Sequence, residues 1–378
     1  MATSAIGPGF LTQTSSFTAD LLASFGFVIL ISILLDIGAQ VNIWRIIAVT
    51  GKRAQELAQQ MLPGMGIMLA CLIAFGGLAF NIGNIAGTGL GFNAMTGIDA
   101  RWSGIISCIL TIAIFWYREA ARLVDVLVKI LGLLMIGFTL YIAIASQPPL
   151  EEAVYRTVWP EKIDFFRIIT IVGGTVGGYI SFAGAHRLIE AGIVGKNSLR
   201  QVTRSAVSGI VITSVMRYIL FLAALGIVWQ GKLLTGDNPP ASVFRHAAGD
   251  VGYRFFGLVM WCAAISSVIG ASYTSMSFLK TFHPFFEKQY RIAISGFIII
   301  STIVFVIDAQ PVKLLILAGA VNGFILPIAL VLILLAARTK ITGDYRHPLW
   351  MQIAGWLVVA AMTVMSVVTI RNNFNQLF

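Results

Sequence analysis

Long apolar segments follow one another along almost the whole chain, and they constrain its fold more than any other feature. Of its 378 residues, 58% are apolar and only 11% are charged, and the mean hydropathy is +0.88. A helix needs about 20 mostly apolar residues to cross a bilayer. The strands of a membrane β-barrel would instead show weak alternation. The sequence therefore predicts an all-α polytopic membrane protein and excludes a soluble globular enzyme.

Eleven apolar segments are predicted to cross the membrane. The first is weak and broken and covers about residues 3–18. The others cover about residues 22–47, 63–91, 103–117, 123–146, 168–194, 206–230, 253–278, 291–307, 313–337 and 350–370. The chain then divides into a first five-helix repeat at 1–146, an extracellular loop at 147–167, a second five-helix repeat at 168–338, and an eleventh helix with the C-terminus at 339–378.

The net charge of +10 is explained by the Lys and Arg that collect in the cytoplasmic loops of membrane proteins, so we expect no nucleic-acid partner and use the charge to predict the orientation. With the N-terminus in the cytoplasm, the inner loops carry more Lys and Arg than the outer loops. We therefore expect an integral plasma (inner) membrane protein with a cytoplasmic N-terminus and an external C-terminus. Cys71, Cys108 and Cys262 lie inside apolar segments and read as small buried hydrophobic residues. The four histidines are scattered, so we expect no cofactor and no metal cluster.

Glycines interrupt two apolar segments at corresponding positions of the two halves. Gly7-Pro8-Gly9 stands in the first segment, and a run of glycines between 173 and 178 stands in the sixth. A helix breaks in a membrane where its freed backbone groups line a cavity, and paired broken helices in an inverted repeat mark a substrate site. Close helix packing at glycine is the alternative. The predicted substrate-binding residues are Gly7, Pro8, Gly9, Thr12, Gln13, Thr14, Gly177, Gly178, Tyr179 and Ser181.

Several stretches of the chain resemble the NRAMP (natural resistance-associated macrophage protein) metal-ion transporters. They are Gly7-Pro8-Gly9-Phe10, Thr50-Gly51-Lys52, Ser266-Ser267 with Gly270, and residues 311–330. The resemblance extends over nearly the whole chain. It implies the LeuT-type fold, which is a 5+5 inverted repeat plus one extra helix, with about 11 transmembrane helices. That number agrees with the eleven segments counted from hydropathy.

The metal-binding motifs of that family have no match in this chain. The family resemblance implies an Asp-Pro-Gly-Asn break in helix one, whose Asp and Asn bind the ion, but no acidic residue precedes Asp20 here. Either Gly7-Pro8-Gly9-Phe10 takes that place or the segment is deleted. The sixth segment contains no Met, the soft ligand that the family uses. The scaffold therefore resembles the family's scaffold, whereas the cation-binding groups are missing.

The groups that remain near the two breaks favour an anion. Helix N-termini carry free N–H donors and about half a positive charge, and the side chains of Thr12, Gln13 and Thr14 add neutral donors. We expect a small oxyanion as substrate, with bicarbonate as the leading candidate and nitrate and formate as alternatives. A local interpretation stays open, in which each Ser or Thr bonds back to its own helix.

Five ionisable residues are predicted at or near membrane depth, where charges are costly and often functional. Asp36 and Arg217 lie midway along corresponding segments and are predicted to form a gate or to attract an anion; a structural ion pair is the alternative. His186, Arg187 and Glu190 share one helical face on the inner side of the second break. They are predicted to couple transport to pH, with an ordinary hydrogen-bonded histidine as the alternative.

The sequence contains no ATP-binding loop, which leaves a secondary transporter or a channel, and secondary transport is the predicted function. The partners are a small inorganic ion and the lipid bilayer, and a coupled ion is left open. A divalent metal cation (Mg²⁺ or Mn²⁺) transporter with an atypical site is the alternative, since hydrated Mg²⁺ needs few protein ligands. A non-transporting membrane sensor is the third class. An enzyme is not expected, because no nucleophile–base pair or carboxylate dyad is evident.

Overall fold

The computed structural model describes residues 7–234, 237–280 and 284–377, and within those ranges the chain forms fifteen α-helices and no strand. The helices are α1 Pro8–Leu21, α2 Phe25–Thr50, α3 Ala54–Met61, α4 Met65–Thr96, α5 Ala100–Trp116, α6 Arg118–Ala145, α7 Leu150–Val158, α8 Phe165–Thr175, α9 Ile180–Glu190, α10 Leu199–Trp229, α11 Pro239–Leu279, α12 Pro284–Lys288, α13 Tyr290–Asp308, α14 Pro311–Ala336 and α15 Leu349–Leu377. Short 3-10 turns cover Leu22–Ser24, Lys196–Ser198 and Lys340–Thr342.

The number of membrane-crossing helices agrees with the sequence prediction. In the described part of the chain, nine helical stretches are long and apolar enough to cross a bilayer. The first stretch, Pro8–Thr50, contains both α1 and α2, and the 17-residue α5 is a shorter apolar helix. Counting α1 and α2 separately and adding α5 gives about eleven crossings.

The structure differs from the sequence prediction in several details. The predicted loop at 147–167 contains α7, on which Arg156 pairs with Glu152 and with Glu161 beyond the helix. Cys71 is exposed, not buried as its apolar neighbours predicted. Residues 3–6 of the first predicted segment lie outside the described residues.

The ends of the first two helices follow from local backbone chemistry. Pro8 occupies the first helical position of α1, where its missing N–H and fixed φ are tolerated, and Gly7 precedes it as the N-cap. Gly51 ends α2 in the left-handed conformation with φ of +61°, and its N–H donates to the carbonyl of Ile47 at 3.0 Å. These signals start α1 at the glycine–proline break and stop α2 at the Thr50-Gly51-Lys52 stretch.

Helix α1 lies in the middle of the bundle. It packs against α4, α8, α10, α11 and α14, so every face of it is covered by protein. Large apolar side chains such as Leu133 and Ile144 of α6 remain 71% exposed on the outer surface, where lipid would cover them. The polar residues of α1 are therefore enclosed at the centre of the molecule.

Candidate functional site

The first turn of α1 is held tightly against α4 and α11. A Cβ added to Gly87 would lie 2.3 Å from the Cβ of Pro8, so glycine is needed there for the proline to fit. A Cβ on Gly7 would lie 3.7 Å from the Oγ of Ser267 on α11. The predicted first break therefore lies inside the helix bundle.

The next two turns of α1 carry buried polar side chains, most of which are unsatisfied. Oγ1 of Thr12, Oε1 of Gln13, and the hydroxyls of Ser15 and Ser16 have no hydrogen-bond partner among the described residues. Thr14 differs, because its Oγ1 donates to the carbonyl of Phe10 at 2.7 Å. The interpretation in which a hydroxyl bonds back to its own helix is correct for Thr14 and does not account for the other four side chains.

The side chain of Gln13 fills a gap between two glycines on other helices. A Cβ on Gly174 would lie 2.7 Å from Oε1 of Gln13, and one on Gly319 would lie 2.5 Å from its Nε2. The Nε2 group donates to the carbonyl of Leu315 at 3.1 Å. The glutamine thus links α1 to α14 and keeps its carbonyl oxygen free beside the end of α8.

The second predicted break is present between α8 and α9, at residues 176–179. A Cβ on Gly178 would lie 2.3 Å from Cγ2 of Ile325, so the chain can pass α14 there only with glycine. The side chains that follow are already bonded: Tyr179 donates its hydroxyl to the carbonyl of Ala271 at 3.1 Å, and Ser181 donates its hydroxyl to the carbonyl of Val176 at 2.6 Å.

Asn322 of α14 closes this second break. Its Oδ1 accepts the N–H of Tyr179 at 3.0 Å, and its backbone carbonyl accepts the N–H of Gly178 at 2.9 Å. Its Nδ2 donates to the carbonyls of Gly76 at 2.9 Å and Ala318 at 3.0 Å. One amide side chain therefore joins α4, α9 and α14.

This capping corrects one part of the anion hypothesis. Asn322 binds the N–H groups of Gly178 and Tyr179, just before the start of α9, so these two groups are not free to receive an anion. Sequence reasoning missed Asn322. The sequence feature that could have identified it is a single Asn within the mostly apolar segment 311–330, one of the stretches that resemble the family.

Arg217 of α10 contacts both broken elements. The residue is 2% exposed, its Nη2 donates to Oγ1 of Thr175 at 3.2 Å, and its guanidinium carbon lies 4.5 Å from the centroid of the Phe10 ring. Thr175 ends α8, and Phe10 lies in the first turn of α1. The structure thus brings a buried positive charge to the place where the two breaks meet.

Asp36 of α2 is 1% exposed and interacts electrostatically with Arg217. The two residues do not form the direct ion pair that was one interpretation of the sequence, since no N–O distance of 4.0 Å or less joins them in the described chain. Oδ1 of Asp36 and Nη1 of Arg217 have no hydrogen-bond partner among the residues described. Two opposite buried charges therefore act on each other without contact.

His186 of α9 is also buried, at 3% exposure, and its ring stacks on Phe278 with centroids 4.0 Å apart. Both of its ring nitrogens lack a hydrogen-bond partner within the described ranges. Arg187 and Glu190 are exposed, and no ion pair joins them to each other in those ranges. The three residues share one helix, but the structure does not join them into a charge network.

A cavity of about 660 Å³ lies at the C-terminal end of α1, at the side opposite the breaks. Its polar lining includes Asp20 and Asp164, and Arg167 forms ion pairs with both carboxylates. In the described part of the chain, no group of three or more His, Cys, Asp and Glu side chains is arranged to hold a metal ion. Any ligand beside α1 would therefore meet hydroxyls and an amide oxygen, with the guanidinium of Arg217 nearby.

About eleven apolar helices around a buried polar centre, where the start of α1 lies near the glycine break between α8 and α9, define a polytopic membrane protein of transporter type. The chain belongs to the Nramp family, described as natural resistance-associated macrophage protein-like, whose sequence model matches residues 1–372. The resemblance found in the sequence is confirmed. Members of this family and its structural neighbours are transporters, not enzymes.

Relatives of the chain fall into two groups. It is 57% identical over 379 residues to the uncharacterized membrane protein YcsG of Bacillus subtilis, covering 100% of this chain and 94% of that protein. It is 52% identical over 379 residues to an uncharacterized membrane protein of Haemophilus influenzae, covering 100% and 96%. It is 20% identical over 304 residues to the divalent metal cation transporter MntH of Klebsiella pneumoniae, covering 75% and 70%.

Solved structures confirm the predicted LeuT-type fold. A mutant of the manganese transporter of Eremococcus coleocola matches with a TM-score of 0.71 at 15% identity, covering 99% of this chain and 86% of that one. MhsT in complex with L-phenylalanine matches with a TM-score of 0.62 at 17% identity, covering 97% and 96%. None of these comparisons supports bicarbonate as a substrate.

Proposed function

We propose that this protein is a secondary transporter that moves a small inorganic ion through the polar centre around α1. The observation that carries the proposal is the set of buried oxygens on Thr12, Gln13, Ser15 and Ser16 that have no partner among the described residues. A buried polar group without a partner costs about 1–3 kcal/mol. Four such groups on one helix support a site that a substrate and its water occupy.

A divalent metal cation is the first candidate substrate. The curated relatives of named activity are divalent metal cation transporters, and one structural neighbour is a manganese transporter. The free atoms on α1 are neutral oxygens, which hard cations accept as ligands. Neutral oxygens compensate two positive charges poorly, so we expect the cation to keep several waters, as Mg²⁺ does.

A small oxyanion, with bicarbonate as the example, is the second candidate substrate. The specific observation that favours it is Arg217, which is 2% exposed and has an unpaired Nη1 next to the two breaks. A guanidinium that donates to an oxyanion forms a strong, charge-assisted hydrogen bond. Asp36 opposes this attraction, because its charge acts on the same arginine.

The charged residues are proposed for gating or coupling. Asp36 and Arg217 interact without contact, so a substrate that binds one of them changes the electrostatic environment of the other. His186, Arg187 and Glu190 remain proposed as the groups that couple transport to pH on the side where α9 ends. The orientation with a cytoplasmic N-terminus is also a proposal, based on the distribution of Lys and Arg.

The experiment is uptake into proteoliposomes that contain the full chain. Mn²⁺ and Mg²⁺ are offered to liposomes with a metal-sensitive dye inside, and bicarbonate or formate is offered to liposomes with a pH dye. For the first candidate we expect saturable uptake of at least one cation. Replacing Gln13→Leu should reduce that uptake at least tenfold, because it removes the free carbonyl oxygen at the centre. Thr12→Val removes a hydroxyl at nearly constant volume and should reduce uptake less.

Thr96→Val is the matched control for Thr12→Val, because it removes an exposed hydroxyl at the end of α4 and should leave transport unchanged. Anion-dependent pH changes without cation uptake, lost in Arg217→Gln, would establish the second candidate and exclude the first. If the folded protein moves neither class of ion, the transport proposal itself is wrong and the sensor alternative gains support.

A further inference from the structure

A second cavity, of about 790 Å³, lies at the start of α10, and no residue of α1 lines it. Its lining includes Lys196, Arg200 and Arg204 together with Val207 and Val211, and it contains no acidic residue. In the described chain, none of those three basic side chains belongs to an ion pair of 4.0 Å or less. The cavity therefore presents three uncompensated positive charges beside an apolar wall.

The positive and apolar parts of this cavity follow one face of α10. Arg200, Arg204, Val207 and Val211 are spaced by four, three and four residues, so they stand above one another on the helix. The face continues to Val215, which is 54% exposed, while Val211 is 45% exposed. At 1.5 Å per residue, the distance from Arg200 to Val215 is roughly 22 Å. One face thus changes from basic to apolar as the helix enters the bilayer.

The fourth basic residue of the cavity is fixed in place. Arg45 donates from Nη1 to Oγ1 of Thr203 at 2.7 Å and from Nε to the hydroxyl of Tyr345 at 3.3 Å. These bonds hold the wall formed by α2 rigid against α10. Lys196 and Arg200, by contrast, are exposed at the mouth of the cavity.

We propose that this cavity binds one anionic phospholipid of the membrane leaflet that the start of α10 meets. The phosphate group would lie between Lys196, Arg200 and Arg204, and one acyl chain would follow Val207, Val211 and Val215. The charges are complementary, and a single leaflet is about 15 Å thick in hydrocarbon, which the apolar part of the face matches. Basic pockets between membrane helices recognise anionic headgroups in this way.

The test measures retention of phosphatidylglycerol by the full chain in a neutral detergent, by native mass spectrometry, against phosphatidylcholine with the same acyl chains. We expect phosphatidylglycerol to bind at least tenfold more tightly. Each basic residue near an anionic surface contributes about fivefold, so Arg200→Gln with Arg204→Gln should weaken binding about 25-fold. Lys288→Gln with Lys340→Gln removes the same charge from exposed sites outside the cavity and should leave binding within about twofold.

Two further measurements separate a lipid from a soluble phosphate. Val207→Asn with Val211→Asn should weaken phosphatidylglycerol binding, and glycerol 3-phosphate at equal concentration should fail to displace the lipid. Equal loss in the cavity and control variants, equal binding of phosphatidylcholine, or displacement by glycerol 3-phosphate would each overturn the proposal. Thermal unfolding of every variant, compared with the unchanged chain, establishes that the protein tested is folded.

Discussion

The two breaks at the centre of the molecule are built differently. At the start of α1, Gly7 provides no side-chain cap, and the oxygens of Thr12 and Gln13 lack partners in the described chain. At the start of α9, the backbone N–H groups are bound by Asn322. The start of α1 therefore keeps polar groups without partners, which the proposed function assigns to a substrate, whereas the break before α9 is a closed structural joint.

The strongest test of this difference is Asn322→Ala. The change removes three side-chain hydrogen bonds and leaves the N–H of Tyr179 buried without its acceptor. We expect the free energy of unfolding to fall by about 3 kcal/mol, measured by thermal or denaturant unfolding in detergent. Asn93→Ala, which removes an exposed bond to the carbonyl of Ile98, is the control and should change it by less than about 0.5 kcal/mol. Equal effects of the two changes would mean that the second break is not held by Asn322.

Alanine substitutions at Gly174 and Gly178 test the same difference between the start of α1 and the break before α9. Gly178→Ala would place a Cβ 2.3 Å from Cγ2 of Ile325 and should destabilise the protein by about 1–3 kcal/mol. Gly174→Ala meets the end of the Gln13 side chain, which can move, so it should reduce ion uptake and cost less stability. Gly209→Ala on α10 meets no atom within 4 Å and should be neutral or slightly stabilising. A larger loss of stability for Gly174→Ala than for Gly178→Ala would contradict our conclusion that the break before α9 is the structural joint.

The last expected effect concerns pH and lies away from the centre. His347 bonds to Oδ1 of Asn42 at 2.6 Å and to the hydroxyl of Tyr345 at 3.0 Å. Burial, with a smaller contribution from Arg45, lowers its pKa from 6.5 to about 4. The unfolded chain therefore takes up a proton below pH 6.5 that the folded chain refuses until about pH 4, so stability falls as pH falls through this window.

His347→Gln should remove that part of the acid sensitivity, measured as the melting temperature between about pH 7 and pH 4. His246→Gln, at an exposed residue, is the control and should leave the pH profile unchanged. Because His347 lies outside the centre, this profile also separates acid-induced unfolding from any pH dependence of transport. An unchanged profile in His347→Gln would show that another group causes the acid sensitivity.

The sequence predicted the number of crossings because apolar length determines how often a chain crosses a bilayer, and its resemblance to the NRAMP family implied the LeuT-type fold. It also predicted the break between α8 and α9, since glycine acts on the backbone locally; the break at Gly7-Pro8-Gly9 stays a prediction, because residues 1–6 lie outside the described residues. It did not predict the Asn322 cap, because the bonds of Asn322 join residues up to 246 positions apart. Local periodicity likewise could not show that Asp36 and Arg217 stay out of contact, since the distance between two helices is set by packing.

The joint formed by Asn322 and the glycines around it has a consequence for motion. The backbones of α8 and α14 approach so closely that a Cβ on Gly173 would lie 1.9 Å from the carbonyl oxygen of Gly319. The first turn of α9 is tied to the same helix. If the centre opens first to one side of the membrane and then to the other, α14 should therefore move with α8 and the beginning of α9 as one rigid body. Bending of the helices should then occur mainly around α1.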